Sequence, residues 1–337
     1  MTTVRPFHPL LESLQILHRR IRDDVVRTCE SAAVATLSGV ATDEEGDTIY
    51  AIDRVAEHEL VGEIGGTIAT REEPVLLVAE GLTGGEVVVP DGADRKMARW
   101  VIIVDPIDGT RGVMYQKRPG WILTGVARGP GSCTLADIEL AVQTEIPLVK
   151  QHLSDELWAV RGQGASAIRV NRLTGERVPL MLHPSTATTL AHGFAMISRF
   201  FPGSRAELAA IDDEVIAAVS GPPKPGKAQS FEDQYISSGG QLYEMIAGHD
   251  RFVADLRPLF ERRRASGAGL CCHPYDLCTE LIARELGVLV TDEQGQALRA
   301  PLDVTSDVSW IGYANAALKT LIEPHLQRAL TRRGLIE

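Results

Sequence analysis

The chain has 337 residues, of which 44% are hydrophobic and 23% charged, the balance of an ordinary soluble globular protein. This length predicts about two domains. The formal net charge of −11 argues against a binder of nucleic-acid polymers, because attraction to phosphate backbones needs a basic surface. A small anionic substrate is compatible with that charge, since bound metal ions can compensate it locally.

The cysteines and the apolar segments indicate the compartment. The 5 Cys form neither a disulfide framework nor a paired zinc motif, which favours reduced thiols. Charges interrupt every short apolar stretch of the first 24 residues, so a signal-peptide core is not expected. No stretch reaches the roughly 20 apolar residues that a membrane helix needs. We therefore expect a soluble, cytoplasmic protein that does not bind membranes.

The N-terminal half shows helical and then strand-like patterns. Apolar residues at helical spacing predict a long amphipathic helix over 10–37. A short strand is predicted at 48–52, and Asp53 then stands at or near the N-cap of a second helix. The runs 74–79 and 100–104 are continuously apolar and of strand length, as is typical of strands buried on both faces.

Further strands, one clear loop and two helices follow. We predict strands at 122–127, 138–144, 156–160 and 288–291, a loop rich in Pro and Gly at 220–227, and helices at 277–286 and 316–328. Gly287 stands where a C-cap glycine would end the first of these helices. The whole pattern indicates a mixed α/β fold.

The loop after the second apolar run carries the strongest chemical signal. A buried strand is expected to end at Asp105, because Pro106 cannot continue the ladder and the chain must turn. Asp108 follows three residues later, close enough for both carboxylates to face one point. Gly109 permits close backbone approach, and Thr110 begins a helix whose amides favour a phosphate. Carboxylates are hard ligands that suit Mg²⁺ or Mn²⁺, although such a segment is also compatible with a plain capped turn.

Other carboxylates stand before and after this loop, in Ile52-Asp53, Val78-Ala-Glu80 and Tyr275-Asp276. With Asp105-Pro-Ile-Asp108-Gly-Thr110 they form an ordered set that resembles the dispersed signature of the inositol monophosphatase-like superfamily. That superfamily includes inositol monophosphatases, fructose-1,6-bisphosphatases and 3′-phosphoadenosine-5′-phosphate phosphatases. The resemblance implies the layered α/β (α+β) sugar-phosphatase fold. It also implies an N-terminal α+β part, 1–183, that carries most metal ligands, and a C-terminal α/β part, 184–337, that closes the active site.

The resemblance further implies an activity and residue roles. The activity is hydrolysis of a small phosphate monoester by a water that Mg²⁺, or Mn²⁺ in its place, activates, in a homodimer sensitive to Li⁺. The implied metal ligands are Glu80, Asp105, the Ile107 carbonyl, Asp108 and Asp276. Asp53 and Thr110 would orient and activate the water, and Gly109, Thr110 and Arg111 would contact the substrate. Independently of any family, clustered carboxylates cannot all ionise in a cleft unless divalent ions compensate them.

Individual members of the set also have simpler interpretations. Asp53, Thr110 and Asp276 would each serve as an ordinary helix cap, and Glu80 as a solvated carboxylate at a strand end. The sequence also departs from the family pattern. Gly81 stands where many members have a second Glu, and the segment 252–257 lacks their Tyr-Glu pair, so inositol specificity cannot be carried over.

The residue after Thr110 bears on the substrate. Asp-Gly-Thr-Arg111-Gly112 is similar to the Asp-Gly-Thr-Lys-Gly of the nucleotide-directed branch, and a guanidinium there could clamp a second anionic group. Arg111 could equally point to solvent. The alternative functions are therefore a nucleotide-directed 3′(2′),5′-bisphosphate phosphatase or a sugar bisphosphatase. From a different class, the alternative is a non-catalytic metal-binding protein that retains the fold.

Overall fold

The computed structural model describes residues 8–31, 40–44, 47–50, 60–222, 224–264 and 270–337. Asp53 and the first part of the helix predicted to begin there lie outside the described residues, whereas 60–63 are helical. The other α-helices of the described residues are α1 (His8–Ser31), α2 (Thr110–Met114), α3 (Arg205–Ser220), α4 (Ser238–Ile246), α5 (Arg257–Arg264), α6 (Glu280–Glu285) and α7 (Ala316–Arg332). Among these described helices, none is both long and apolar enough to cross a membrane.

A large sheet of eight strands occupies the first half of the chain. Its strands are β3 (Val75–Ala79), β4 (Glu86–Val89), β5 (Trp100–Asp108), β6 (Gly120–Arg128), β7 (Leu140–Ile146), β8 (Leu153–Val160), β9 (Ala165–Asn171) and β10 (Arg177–Pro179). They lie in the order β10-β9-β8-β7-β6-β5-β3-β4. Only β3 and β5 pair in parallel in this sheet, and the other neighbours are antiparallel hairpins. A separate hairpin joins β1 (Val40–Glu44) to β2 (Asp47–Tyr50).

A smaller sheet is formed by the second half of the chain. Its strands are β11 (Phe194–Ile197), β12 (Asp250–Asp255), β13 (Leu289–Thr291) and β14 (Trp310–Tyr313), in the order β11-β12-β14-β13. β11 is parallel to β12, and the other two pairings are antiparallel. The division of the chain at residue 183 falls between the strands of the two sheets and stays a prediction.

The two sheets are separated and flanked by helices. Side chains of β3 and β5 alternate between two cores: Leu77 and Ile102 pack with α1, whereas Leu76 and Ile103 face the second core. α4 and α6 contact strands of both sheets and so lie between them. α3 and α7 pack on each other and against β11 and β14. The resulting order of layers is helix, sheet, helix, sheet, helix. Every residue of β3 and β5 is buried, which confirms the prediction that these two strands are covered on both faces.

Several predicted boundaries differ from the structure. β5 does not end at Asp105 but continues to Asp108, because a shift of register between these two residues accommodates Pro106, which has no N–H for the ladder. The helix predicted at 277–286 is instead a 3₁₀ turn at Tyr275–Leu277 followed by α6. The final helix extends four residues further than the pattern indicates, to Arg332.

Candidate active site

The irregular end of β5 sets the geometry of the Asp-Pro-Ile-Asp segment. Asp105 and Asp108 are 2% and 5% exposed, so both carboxylates lie inside the protein. Asp105 Oδ1 accepts a hydrogen bond from the Ile107 amide at 3.0 Å, which fixes its rotamer. The Ile107 carbonyl accepts one from Thr110 Oγ1 at 2.8 Å. The bulge therefore holds two carboxylates, one carbonyl and one hydroxyl within a single short loop.

A third carboxylate reaches the same point from the other half of the chain. Asp276, in the 3₁₀ turn before α6, offers an oxygen that lies with oxygens of Asp105 and Asp108 within 4.8 Å of one another. The His273 amide donates to Asp276 Oδ2 at 2.6 Å and orients it. Glu80, at the end of β3, is half-buried and lines the same cavity.

The electrostatics of this cluster require a compensating charge. Burial raises the pKa of Asp105 well above its usual range, and the neighbouring carboxylates of Asp108, Glu80 and Asp276 raise it further. Burial also raises the pKa of Asp108 to about 6, although hydrogen bonds from Ser237 and nearby backbone amides oppose this. A divalent cation would offset the burial of both carboxylates and the repulsion around Asp105.

A helix N-terminus, which the sequence reasoning missed, holds Asp108 in place. Ser237 Oγ donates to Asp108 Oδ2 at 2.7 Å, and the Gly239 amide donates to the same oxygen at 2.6 Å. Ser237 is also the N-cap of α4, where its Oγ accepts from the Gly240 amide at 2.8 Å. The positive end of the helix dipole thus faces a carboxylate. A Ser before an apolar helical run is an N-cap signal, but it does not reveal what the helix end contacts.

Two glycines allow the loop and the helix to meet. Gly109 has φ +86°, and a Cβ there would stand 3.1 Å from Ser237 Cβ. A Cβ on Gly239 would lie 2.9 Å from Asp108 Oδ2 and 2.6 Å from Leu123 Cδ2. Side chains at either position would force α4 away from the carboxylate that it stabilises.

The carboxylates open into a cavity with about 560 Å³ of empty space, part of it continuous with solvent. Every candidate residue that the structure describes lines it, namely Glu80, Asp105, Ile107, Asp108, Gly109, Thr110, Arg111 and Asp276. The sequence did not indicate the other wall, which includes Phe200, Phe201 and Arg257. The guanidinium carbon of Arg111 lies 5.2 Å from the ring centroid of Phe201, so Arg111 faces the cavity.

The donor atoms fit a hard divalent cation. Three carboxylates in mutual reach, with a carbonyl and a fourth carboxylate in the same cavity, are the oxygen ligands that Mg²⁺ and Mn²⁺ prefer. Cys271 and Cys272, which sit in a loop on the cavity wall, do not make it a zinc site. Burial raises the pKa of the Cys271 thiol to about 12 and that of Cys272 well above its usual range. Among the described residues, the group whose ligand atoms lie within 4.8 Å of one another consists of carboxylates alone.

No protein-family model matches the sequence, and no curated protein is significantly similar to it. Solved structures match its fold over nearly the whole chain. Fructose-1,6-bisphosphatase from Leishmania major superposes with a TM-score of 0.69 at 12% identity, covering 98% of this chain and 96% of that one. Extragenic suppressor protein SuhB from Bartonella henselae gives 0.63 at 16% identity, covering 95% and 98%.

The chain has the layered sugar-phosphatase fold of these two structures. The layered sugar-phosphatase architecture expected from the ordered carboxylates is thereby confirmed. The cavity lies between the end of the large sheet and the 3₁₀ turn that precedes α6.

Proposed function

We propose that this protein is a Mg²⁺-dependent phosphomonoesterase that hydrolyses a small phosphate monoester. The observation that carries the proposal is the cluster of Asp105 and Asp108, both buried, with half-buried Asp276; their oxygens lie within 4.8 Å of one another in an open cavity. The fold supports it, because a structural neighbour is a fructose-1,6-bisphosphatase. Mn²⁺ suits the same oxygen ligands and is the expected substitute.

We assign two roles to the described residues, binding of the metal ions and positioning of the reacting groups. Asp105, Asp108, Asp276, Glu80 and the Ile107 carbonyl would hold the cations. Bound divalent ions would polarise the phosphoryl oxygens and offset charge on the leaving alkoxide. In such a transfer the protein contributes mainly orientation and charge stabilisation.

Thr110 is suited to hold the attacking water. Its hydroxyl proton is donated to the Ile107 carbonyl at 2.8 Å, so toward a water in the cavity the Thr110 oxygen would act as an acceptor. That water would lie beside the cluster, with one of its two protons fixed by Thr110. We assign removal of the other proton to Asp53, by the resemblance alone.

The test is release of inorganic phosphate from a panel of small monoesters, including inositol, sugar and nucleotide 3′-phosphates. We expect turnover with Mg²⁺ or Mn²⁺ and none after EDTA, with recovery when Mg²⁺ is returned. Full activity after exhaustive chelation would refute the proposal.

The alternatives give different results in the same panel. A nucleotide-directed or sugar bisphosphatase would favour bisphosphates, a preference that Arg111 beside Thr110 would explain. A non-catalytic metal-binding protein would bind Mg²⁺ in calorimetry, lose that binding in Asp108→Asn, and release no phosphate. We also propose a homodimer from the resemblance, which light scattering would detect as twice the chain mass of 36.5 kDa.

A further inference from the structure

The cavity has two chemically different parts. One part carries the carboxylates, and the other carries side chains with aromatic or apolar surface, among them Phe200, Phe201, Ile236 and Leu270. Phe200 and Phe201 are only half-buried, so each leaves ring surface accessible beside the cavity. A phosphorylated polyol presents mostly hydroxyl groups and could place only C–H groups on such a surface, whereas a planar aromatic ring could stack on it. The aromatic part therefore fits a leaving group of another kind.

The aromatic part is a continuous series of planar groups. The guanidinium carbon of Arg257 lies 4.2 Å from the ring centroid of Phe200 and 5.3 Å from that of Phe201. The guanidinium of Arg111 lies 5.2 Å from the Phe201 centroid, and the two rings meet edge to face at 5.0 Å. Aromatic rings and guanidinium planes are the surfaces on which nucleobases and other planar rings stack.

Hydrogen bonds of Arg257 to Asp255 and to the Leu270 carbonyl fix this series of planar groups. Arg257 donates from Nε to Asp255 Oδ1 at 2.9 Å and from Nη1 to the Leu270 carbonyl at 2.6 Å. The Arg257–Asp255 pair is buried, with side chains 7% and 1% exposed, so its geometry is fixed and its charges balance. Arg257 is thus a positioning residue for Phe200 and Phe201. A surface fixed before binding loses little entropy when a ligand packs on it.

We propose that Phe200, Phe201 and Arg111 form a subsite for a planar aromatic ring in the leaving group, either a nucleobase or another aryl group. That this ring belongs to a leaving group rests on the proposed phosphatase function, whereas the binding of an aromatic ring at the subsite does not. Arg111 links the two parts of the cavity, since it directly follows Thr110 in the chain and stands over Phe201.

The kinetic test uses substrate pairs that differ in the ring alone. Adenosine 5′-monophosphate is compared with ribose 5-phosphate, and benzyl phosphate with cyclohexylmethyl phosphate, whose leaving alcohols are of similar reactivity. We expect kcat/KM to favour the aromatic member by roughly fivefold or more, the effect of one stacking contact. A preference in both pairs indicates a general aryl subsite, and a preference in the first pair alone indicates a nucleobase subsite. Equal kcat/KM within both pairs would overturn the proposal while leaving phosphatase activity intact.

Variants assign the effect to the rings. Phe200→Leu/Phe201→Leu keeps apolar volume but removes the planar surface, so the aromatic preference should disappear, chiefly through a higher KM for the aromatic member of each pair. Phe194→Leu is the matched control, because Phe194 is also half-exposed and also packs on another ring, Phe231, away from the cavity. Phe194→Leu should keep the preference.

A binding test separates this subsite from the proposed reaction. Calorimetry with adenosine in EDTA should show binding to the wild-type protein and to Phe194→Leu, and at least fivefold weaker binding to the double variant. If no ester is hydrolysed but adenosine binds in this pattern, the subsite stands and the phosphatase proposal fails. Equal affinity for adenosine in the wild-type protein and the Phe200/Phe201 double variant would overturn the subsite. Lack of adenosine binding to the wild-type protein would also overturn it.

Discussion

Replacement of Ser237 by Ala tests whether the N-terminus of α4 orients the carboxylate cluster of Asp105, Asp108 and Asp276. The 2.7 Å bond from Ser237 Oγ to Asp108 is a hydrogen bond to a charged group, worth about 1.5–3 kcal/mol. The Gly239 amide still donates to the same oxygen in the variant, so the lower part of this range applies. We therefore expect a loss of about tenfold in kcat/KM, within the 10–100-fold typical of residues that orient metal ligands. The Mg²⁺ concentration for half-maximal activity should rise by a similar factor.

The variant also removes the N-cap of α4, which costs about 1 kcal/mol of stability by itself. Asn315→Ala is the control, since Asn315 caps α7 by accepting from the Leu318 amide at 3.0 Å and does not line the cavity. Both variants should melt at a lower temperature, but only Ser237→Ala should change the Mg²⁺ dependence. The Mg²⁺ dependence is measured as the rate of phosphate release across a Mg²⁺ titration. An unchanged titration in a folded Ser237→Ala protein would refute the role given to α4.

Three other expectations follow from the site and the core. Asp108→Asn should abolish phosphate release while far-UV circular dichroism stays native, because it removes a negative ligand with little change in shape; near wild-type turnover would contradict the site. Arg111→Thr should lower kcat/KM about tenfold more for a bisphosphate than for its monophosphate, as expected for a lost charge-assisted contact. Equal losses on the two substrates would show that Arg111 does not bind the second phosphate. Burial lowers the pKa of His18, which bridges Thr124 and Thr144, to about 3, so only the unfolded chain is protonated as the pH falls below 6.5. Buried carboxyls with raised pKa values, such as Asp108, act in the opposite direction, so the wild-type protein is compared with His18→Gln. Between pH 7 and pH 5, the change in the free energy of urea unfolding should be about 2 kcal/mol more unfavourable for the wild-type protein than for His18→Gln.

Local patterns predicted the sheet and the order of the carboxylates. The runs 74–79 and 100–104 are continuously apolar, which strands buried between two helical layers require. Asp105 and Asp108 are close in the chain, so their convergence needed no long-range information. The rule that Pro ends a strand gave the wrong end for β5, because a bulge within a paired sheet can accommodate Pro106.

The rest of the cavity depends on contacts that no local pattern encodes. Ser237 meets Asp108 across 129 positions, and its sequence context indicates a cap without naming the acceptor. Phe200 and Arg257 come together only because β11 and β12 are neighbours in the smaller sheet. Such pairings follow from the tertiary arrangement of the layers, so they become visible only in the structure.

The bond between Ser237 and Asp108 would also make the proposed phosphatase activity a measure of complete folding. The large sheet assembles mainly from hairpins between consecutive strands, contacts that form early because their loops are short. Closing a loop of 129 residues carries a larger entropic penalty and waits for α4 to dock. During refolding, circular dichroism should therefore recover before phosphate release does, and the lag between the two signals reports the docking of the C-terminal layers onto a sheet already formed.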